Sequence, residues 1–538
     1  MQKSMEKPRW RDLIRVWREK QPSPLPPAAP KDSAPVVIVG TGPVGLAQAI
    51  DLGQRGHRVV VLGRFDFVPA GSKAICFSKR SLDILDRLGV GEAAVEKGVI
   101  WNVGKVFWKE SRDPIYQFDM LPVKNQKMPG FINIQQYHVE ELLLQRIEAL
   151  DTVEVRWGHD VVGLETHGSG AELSIAADAG EYSLHADWLI ACDGNKSSIR
   201  DMMGLDFEGR VFEDNFLIAD IRMEGDRPSE RWFWFDPPFN PGQSVLMHKQ
   251  PDNVWRLDFQ LGWNIDREEC IRPENVEPFV RAMLGDDVEF SEEWYSVYTF
   301  QCRRMARFLH GRVIFAGDSA HLVSPFGARG CNGGFADIDN LGWKLDLVLR
   351  GQAAPSLLES YNEEAVITAD ENILNSTRST DFLTPKSKVS EAFRDAVLEL
   401  ASQVPFARSF VNSGRLSTPV SYPASSLSTA DIDAWTSGGV LPGAPALDAP
   451  LGSEWLLERL DGRFVLLTNG YRPDGLDIDV LDIGQEAENS VALSRYGLEP
   501  GAAYLLRPDQ YVAARWKSPT SEQISAAHKR AKGVASCR

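Results

Sequence analysis

The stretch VVIVGTGPVGLAQAIDLGQRGHRVVVLGR, residues 36–64, decides how the rest of the chain is read. Its apolar run Val36–Val39 enters Gly40-Thr41-Gly42-Pro43-Val44-Gly45, a helical pattern follows, and a second apolar run, Val59–Leu62, closes the unit. Strand, glycine loop, helix and strand in that order make the opening of a dinucleotide-binding βαβ unit. Gly40 permits the tight turn, Gly42 lets the backbone approach a pyrophosphate, and Gly45 lets the helix pack close to the sheet. Pro43 and Val44 then open a helix whose N-terminus faces the phosphates. Such units usually end the second strand on an acidic residue that holds a ribose hydroxyl. Here Gly63 stands in that place, followed by Arg64, which either packs against the adenine or stays in solvent.

Working outward, residues 35–209 alternate strand-like and helix-like patterns, as a parallel-sheet nucleotide domain requires. Between 210 and 300 the period changes to two. VWRLDFQL puts Trp255, Leu257, Phe259 and Leu261 on one face and Arg256, Asp258 and Gln260 on the other, the pattern of a half-buried antiparallel strand. The nucleotide domain resumes over 301–412, so the β-rich segment is an insertion. Residues 413–439, rich in Ser, Thr and Pro, read as a linker, and 440–538 as a small terminal domain with a closing helix from about Ser521. At the other end, residues 1–34 combine a helical spacing of Trp10, Leu13, Ile14 and Trp17 among arginines with a proline-rich linker. The favoured reading of that helix is docking on the protein's own acidic surface or on a second subunit.

Two further loops carry chemistry. LIACDGNKSSIR ends a buried strand at Asp193-Gly194, and VIFAGDSAHLVSPFGARGCNGG ends another at Gly317-Asp318. Asp318 is placed to accept from a ribitol or ribose hydroxyl, and the amides around Gly330, Cys331 and Asn332 to face an electron-rich ring at a helix start. Each dipeptide alone is ordinary turn chemistry. Three such loops at strand ends point to one nucleotide site.

Composition narrows the classes. With 43% hydrophobic and 25% charged residues over 538 positions, the chain is that of a soluble globular protein of two or three domains. A formal charge of −17 argues against nucleic-acid binding and against adsorption to anionic membranes. No apolar run approaches the roughly 18 residues of a membrane span. The six cysteines form no CxxC pair and no metal pattern, so reduced thiols in the cytoplasm, without a metal, are expected.

These motifs together resemble the single-component FAD-dependent aromatic hydroxylases, the class A flavoprotein monooxygenases, from about Val36 to the end of the chain. Gly40, Gly42 and Gly45 match the family's FAD phosphate loop. Asp193-Gly194 matches its DG motif, and Gly317-Asp318 with His321, Pro325, Gly327, Gly330 and Asn332 matches its GD motif and the loop beside the isoalloxazine. Gln136 in INIQQYHVEELL matches the glutamine that contacts FAD. The nearest subgroup is the phenol and 3-hydroxyphenylpropanoate hydroxylase-like enzymes, which carry a C-terminal thioredoxin-like domain. The resemblance therefore implies an α/β fold: a Rossmann-like FAD-binding domain, an inserted β-rich substrate domain and a thioredoxin-like domain that, lacking CxxC, exchanges no disulfide. This chain departs from the family at Gly63, at Lys73 beside Ala74, where Arg is frequent, and at Cys331, where Met is frequent. Lys73 keeps the charge without the planar fork. Gly63→Glu is expected to leave FAD binding unchanged or to tighten it.

The implied reaction uses NADPH or NADH as a transient co-substrate to reduce FAD. O₂ then adds to give a flavin C4a-hydroperoxide, whose distal oxygen goes to a phenolic or other small aromatic substrate. Substrate-side candidates are Trp232, Trp234, Met247, His248, Phe259 and Phe326, with His248 and Arg329 as candidate catalytic groups; sheet packing is the ordinary role for any one aromatic. A homodimer is left open. The rival readings are a flavin-dependent halogenase, suggested by the near-match WFWFDP at Trp232–Pro237, and a non-catalytic nucleotide-binding redox sensor.

Overall fold

The computed structural model describes residues 16–26, 32–71, 73–119, 123–225, 227–411, 418–435, 438–484 and 486–534. The apolar runs that open the sequence are central strands. Asp32–Val39 lies parallel between Val59–Gly63 and Gly180–Ala191, and Val153–Trp157 extends the sheet beyond Val59–Gly63. Val36, Val37 and Ile38 are wholly buried, as a strand covered on both faces demands. The long strand Gly180–Ala191 forms a hairpin with Gly170–Ala177 through its first half and pairs in parallel with Val313–Phe315 through its last residues. That pairing brings the Asp193-Gly194 and Gly317-Asp318 turns to the same sheet end as Gly40.

Helices Pro43–Gln54, Gln136–Ile147 and Gly330–Leu349 cover this sheet. A second sheet is ordered His321–Leu322, Phe290–Met305, Phe207–Met223, Val254–Gln260, Ser244–Lys249, Arg231–Phe235, Val103–Trp108 and Tyr116–Asp119. Its last two strands come from outside the expected 210–300 insertion, and Val103–Trp108 joins Arg231–Phe235 in parallel. One face of this sheet packs under helix Pro273–Leu284, where Val276 and Val280 meet Leu257 and Phe259 in one apolar core. The other face turns toward the nucleotide domain.

The terminal unit holds a four-stranded sheet ordered Asp479–Asp482, Val465–Thr468, Ala503–Leu506 and Val512–Trp516, with its closing helix at Ser521–Ala531. It docks through buried charges. Arg507 donates to both carboxylate oxygens of Glu364 at 2.7 and 2.9 Å, and Lys344 donates to the same carboxylate at 2.8 Å. Arg80 reaches Gln510 at 2.6 Å and the Asp509 carbonyl at 2.6 Å. The expected linker is pinned as well: the Tyr422 N–H donates to the Gly443 carbonyl at 2.7 Å and Asp431 pairs with Arg515 at 2.6 Å.

The N-terminal expectation needs correction where it can be compared. Residues 1–15 of the expected helix lie outside the described residues. Residues Val16–Glu19, its last turn, form an edge strand against Phe67–Pro69. Trp17 stacks on Tyr137 at 4.2 Å between ring centroids, and Arg18 pairs with Glu141. A β-branched and an aromatic residue beside an open strand edge favour pairing over one short helical turn. No helix among the described residues is long and apolar enough to cross a membrane.

Candidate functional site

The glycine loop is shaped as its spacing implies. Gly40 has φ +119°, and any side chain there would run into the Cys192 carbonyl; one at Gly45 would run into the Gly40 carbonyl. Over Gly42 the space is open, and helix Pro43–Gln54 starts there with no side chain capping its amides. A helix N-terminus with free N–H groups beneath open space is an anion cradle.

The other two loops are locked to each other. Ser319 Oγ donates to Asp193 Oδ1 at 3.0 Å and accepts the Gly194 N–H at 3.0 Å, and Asp193 Oδ2 accepts the Ile199 N–H at 3.2 Å. Gly317 takes φ +63° and donates its N–H to Asp337 Oδ2 at 2.9 Å. That oxygen also meets His321 Nε2 at 2.6 Å, both side chains being 1% exposed. His321 is thus a loop-holding group. Asp318, left at the cavity edge, is raised above the usual carboxylate range by burial, an effect that Lys73 and His321 oppose.

A cavity of about 270 Å³ joins these loops to the second sheet. Gly42, Pro43, Val44, Lys73, Ala74 and Gln136 border one side, and Gly194 and Asp318 with Pro325, Gly330, Cys331 and Asn332 border the next. Gln136 Oε1 accepts the Ala74 N–H at 3.1 Å, and its amide donates to Glu140, whose carboxyl burial pushes up to about 8. The Asn332 side chain is consumed locally, accepting from Ser78 N at 2.9 Å and donating to the Cys76 carbonyl at 2.9 Å, so only its backbone is offered to a ligand. Helix Gly330–Leu349 begins here without a side-chain cap, after Ala328 held at φ +50°, a costly conformation for a residue with a side chain. A flavin dinucleotide fits this arrangement: one free helix N-terminus for the pyrophosphate, Asp318 for the sugar chain, and a second helix N-terminus for the polar edge of the ring.

Arg64 is not part of the cavity. Its side chain is 57% exposed, it lies 3.5 Å from Asp160, and it stacks over Phe65. At Gly63 an added Cβ would stand 2.7 Å from Thr41 Cγ2, so the position that usually carries an acid is narrowed by the glycine loop's own threonine. Gly63→Glu therefore requires the Thr41 side chain to move aside, which bears on the expectation that the substitution is neutral or favourable.

The substrate-side candidates divide by strand parity. In the ladder, Trp232 pairs with Met247, Trp234 with Val245, and Val245 with Phe259. These share the face packed under helix Pro273–Leu284, so Trp232, Trp234, Met247 and Phe259 do not line the cavity. Their neighbours do. Arg231 pairs with His248, His248 with Arg256, and Leu246 with Asp258, all on the cavity face. Of the six candidates, His248 and Phe326 border the cavity. Arg256 and Asp258 were missed because the polar face of a half-buried strand is ordinarily the solvent-facing one; Arg231 and Tyr298 were not singled out by any motif. Arg256 makes a two-point contact with Asp220, both distances 2.7 Å. His248 lies 3.3 Å from Asp258, with neither ring nitrogen hydrogen-bonded, and burial together with Arg231 brings it down to about 4. Arg329 borders the cavity, 2% exposed, and donates to Asn372 at 2.9 Å.

Comparison with known proteins agrees with this geometry. Residues 33–376 match the family model described as an FAD binding domain. A 3-(3-hydroxy-phenyl)propionate/3-hydroxycinnamic acid hydroxylase of Comamonas testosteroni is 28% identical over 382 residues, 70% of this chain and 63% of that one. A 12-dehydrotetracycline 5-monooxygenase/anhydrotetracycline 6-monooxygenase of Streptomyces rimosus is 30% identical over 68% of this chain and 73% of its own. Among solved structures, the flavin-dependent monooxygenase PieE in complex with FAD and substrate superposes with a TM-score of 0.81 over 94% of this chain and all of that one, at 21% identity.

Proposed function

Because the chain belongs to the FAD binding domain family, we propose that it is a single-component FAD-dependent monooxygenase that hydroxylates a phenolic ring with NADH or NADPH and O₂. The observation that carries this reading is one cavity bordered at once by two uncapped helix N-termini, by Asp318 and by the inner face of the second sheet. Bound FAD would supply the redox chemistry, taking electrons from the nicotinamide and activating O₂. The chain's residues bind, orient and exclude water. Phe326 and Phe300, edge to face at 5.0 Å between centroids, wall the chamber against solvent. His248, neutral at physiological pH, can accept a phenol O–H. Tyr298, whose phenol burial and Asp318 push up, stays protonated and can donate.

The hydroxylase reading is supported over a halogenase. Both named relatives are oxygenases, and the WFWFDP stretch puts Trp232 and Trp234 outside the cavity. The terminal unit, read as thioredoxin-like, acts as a clamp, since its Arg507 and Gln510 hold helices that border the flavin loop. The same reading puts the enzyme in the cytoplasm, where NAD(P)H is supplied. The test is a phenolic panel scored by both NAD(P)H consumption and hydroxylated product. Oxidation stimulated without product, or no stimulation by any phenol, would retire the proposal.

A further inference from the structure

We propose that Arg231 is the anion anchor of the chamber, and that the aromatic substrate carries a carboxylate which binds it. The inference rests on the reading of this cavity as a substrate chamber. Arg231 opens strand Arg231–Phe235 and is 3% exposed. Its register opposite His248 puts its side chain on the cavity face.

The charges on that face are unevenly matched. Arg256 is satisfied by Asp220 at two points. Asp258 lies 3.3 Å from His248, which is neutral, and its charge acts on Arg231 from beyond ion-pair distance. Arg231 forms no ion pair among the described residues. Its Nη1 contacts the Cys76 thiol at 3.5 Å, and its Nε has no hydrogen-bond partner. Aromatic faces flank the guanidinium, with the Phe233 centroid at 4.9 Å and that of Trp101 at 5.6 Å.

A guanidinium does not shed its proton, and a buried cation whose nearest acid stays beyond ion-pair distance is costly. With Nη1 on Cys76, the Nε–Nη2 edge is the free one, and that edge matches the two oxygens of a carboxylate. A phenolate offers one oxygen and fills half of it. Arg231 also borders a small apolar annex lined by Val106, Phe233, Phe235 and Phe326, so the anchor stands where the chamber narrows. Nothing among the described residues completes this arginine; a substrate carboxylate does.

The test measures binding to the FAD-loaded protein through flavin absorbance, with no nicotinamide added. The probes are 3-hydroxybenzoate, 3-hydroxyphenylacetate and 3-hydroxyphenylpropanoate, each beside its neutral amide. At least one acid should bind about tenfold or more tighter than its amide. Arg231→Met should abolish that ratio while leaving amide affinity within about twofold, and Arg231→Lys should restore part of it. Equal affinity of every acid and its amide in the unaltered protein, including no binding by either, overturns the proposal, as does an acid preference that survives Arg231→Met. The unaltered protein alone decides the first outcome, whatever the variants' folding. Hydroxylation of neutral phenols with no acid preference retires the anchor and leaves the monooxygenase reading in place. Acid binding through Arg231 without hydroxylated product does the reverse.

Discussion

Asp337 Oδ2 meets His321 Nε2 at 2.6 Å and accepts the Gly317 N–H at 2.9 Å, so one buried oxygen fixes both ends of the loop that carries Asp318. Burial alone would lower His321, but Asp337 outweighs it and holds the imidazole above its ordinary value. A raised histidine contributes its full stabilisation below about pH 6.5 and loses it as pH rises through the folded-state value. Asp337→Asn should therefore lower thermal stability by roughly 3–5 kcal/mol at pH 6 and release flavin more readily. The deficit should shrink toward pH 9. Melting curves and flavin fluorescence across that range check both.

Glu364 lies wholly buried between Arg507 and Lys344, two cations from different parts of the chain. Burial would raise its carboxyl, yet the two cations hold it far below the ordinary range. A depressed carboxylate contributes at every pH above its unfolded value, about 4.3, and loses that contribution as pH falls through the folded value. Glu364→Gln leaves buried Lys344 without an acid partner and Arg507 with Asp509 alone, at a cost on the order of 3–5 kcal/mol. Denaturant unfolding at pH 7 should show a loss of that size. An unchanged midpoint would mean that the terminal unit is not clamped through this carboxylate.

His248 is uncharged down to about pH 4. Its role in the proposed chemistry is then a hydrogen bond to the phenol rather than a titrating base in the neutral range. His248→Asn should lower kcat/KM by about 10²-fold without moving any apparent pKa between about pH 5.5 and 8. A lost or shifted limb in that window would assign the titration to His248.

Gly63→Glu brings a side chain against Thr41, whose Cγ2 would be 2.7 Å from the new Cβ. The variant should retain FAD several-fold less well, and Thr41→Gly in the same chain should recover retention by removing the obstruction. Dialysis followed by flavin fluorescence measures both.

The nucleotide side was legible because its determinants are local: glycines needed for φ +119° at Gly40 and φ +63° at Gly317 stand next to the strands that they end. What joins the loops was not, since Ser319 bridges to Asp193 across 126 positions. The chamber was misread for a different reason. Alternation in VWRLDFQL shows that Arg256 and Asp258 share a face, but period two cannot tell solvent from an enclosed polar cavity. The aromatic face was chosen, and it is the packed one. Strands Val103–Trp108 and Tyr116–Asp119 were invisible in the insertion's composition because they join its sheet from outside it. Arg64 shows the opposite limit, for a charged residue next to a nucleotide loop reached Asp160 instead.

The most direct measurement of the central claim is turnover of the FAD-loaded protein with NADPH or NADH under ¹⁸O₂, with a phenolic substrate that stimulates oxidation. Mass spectrometry of the product should show a single new ring oxygen that is ¹⁸O. A product lacking the label, or nicotinamide consumed with hydrogen peroxide as the sole oxygen product for every phenol offered, would contradict the account.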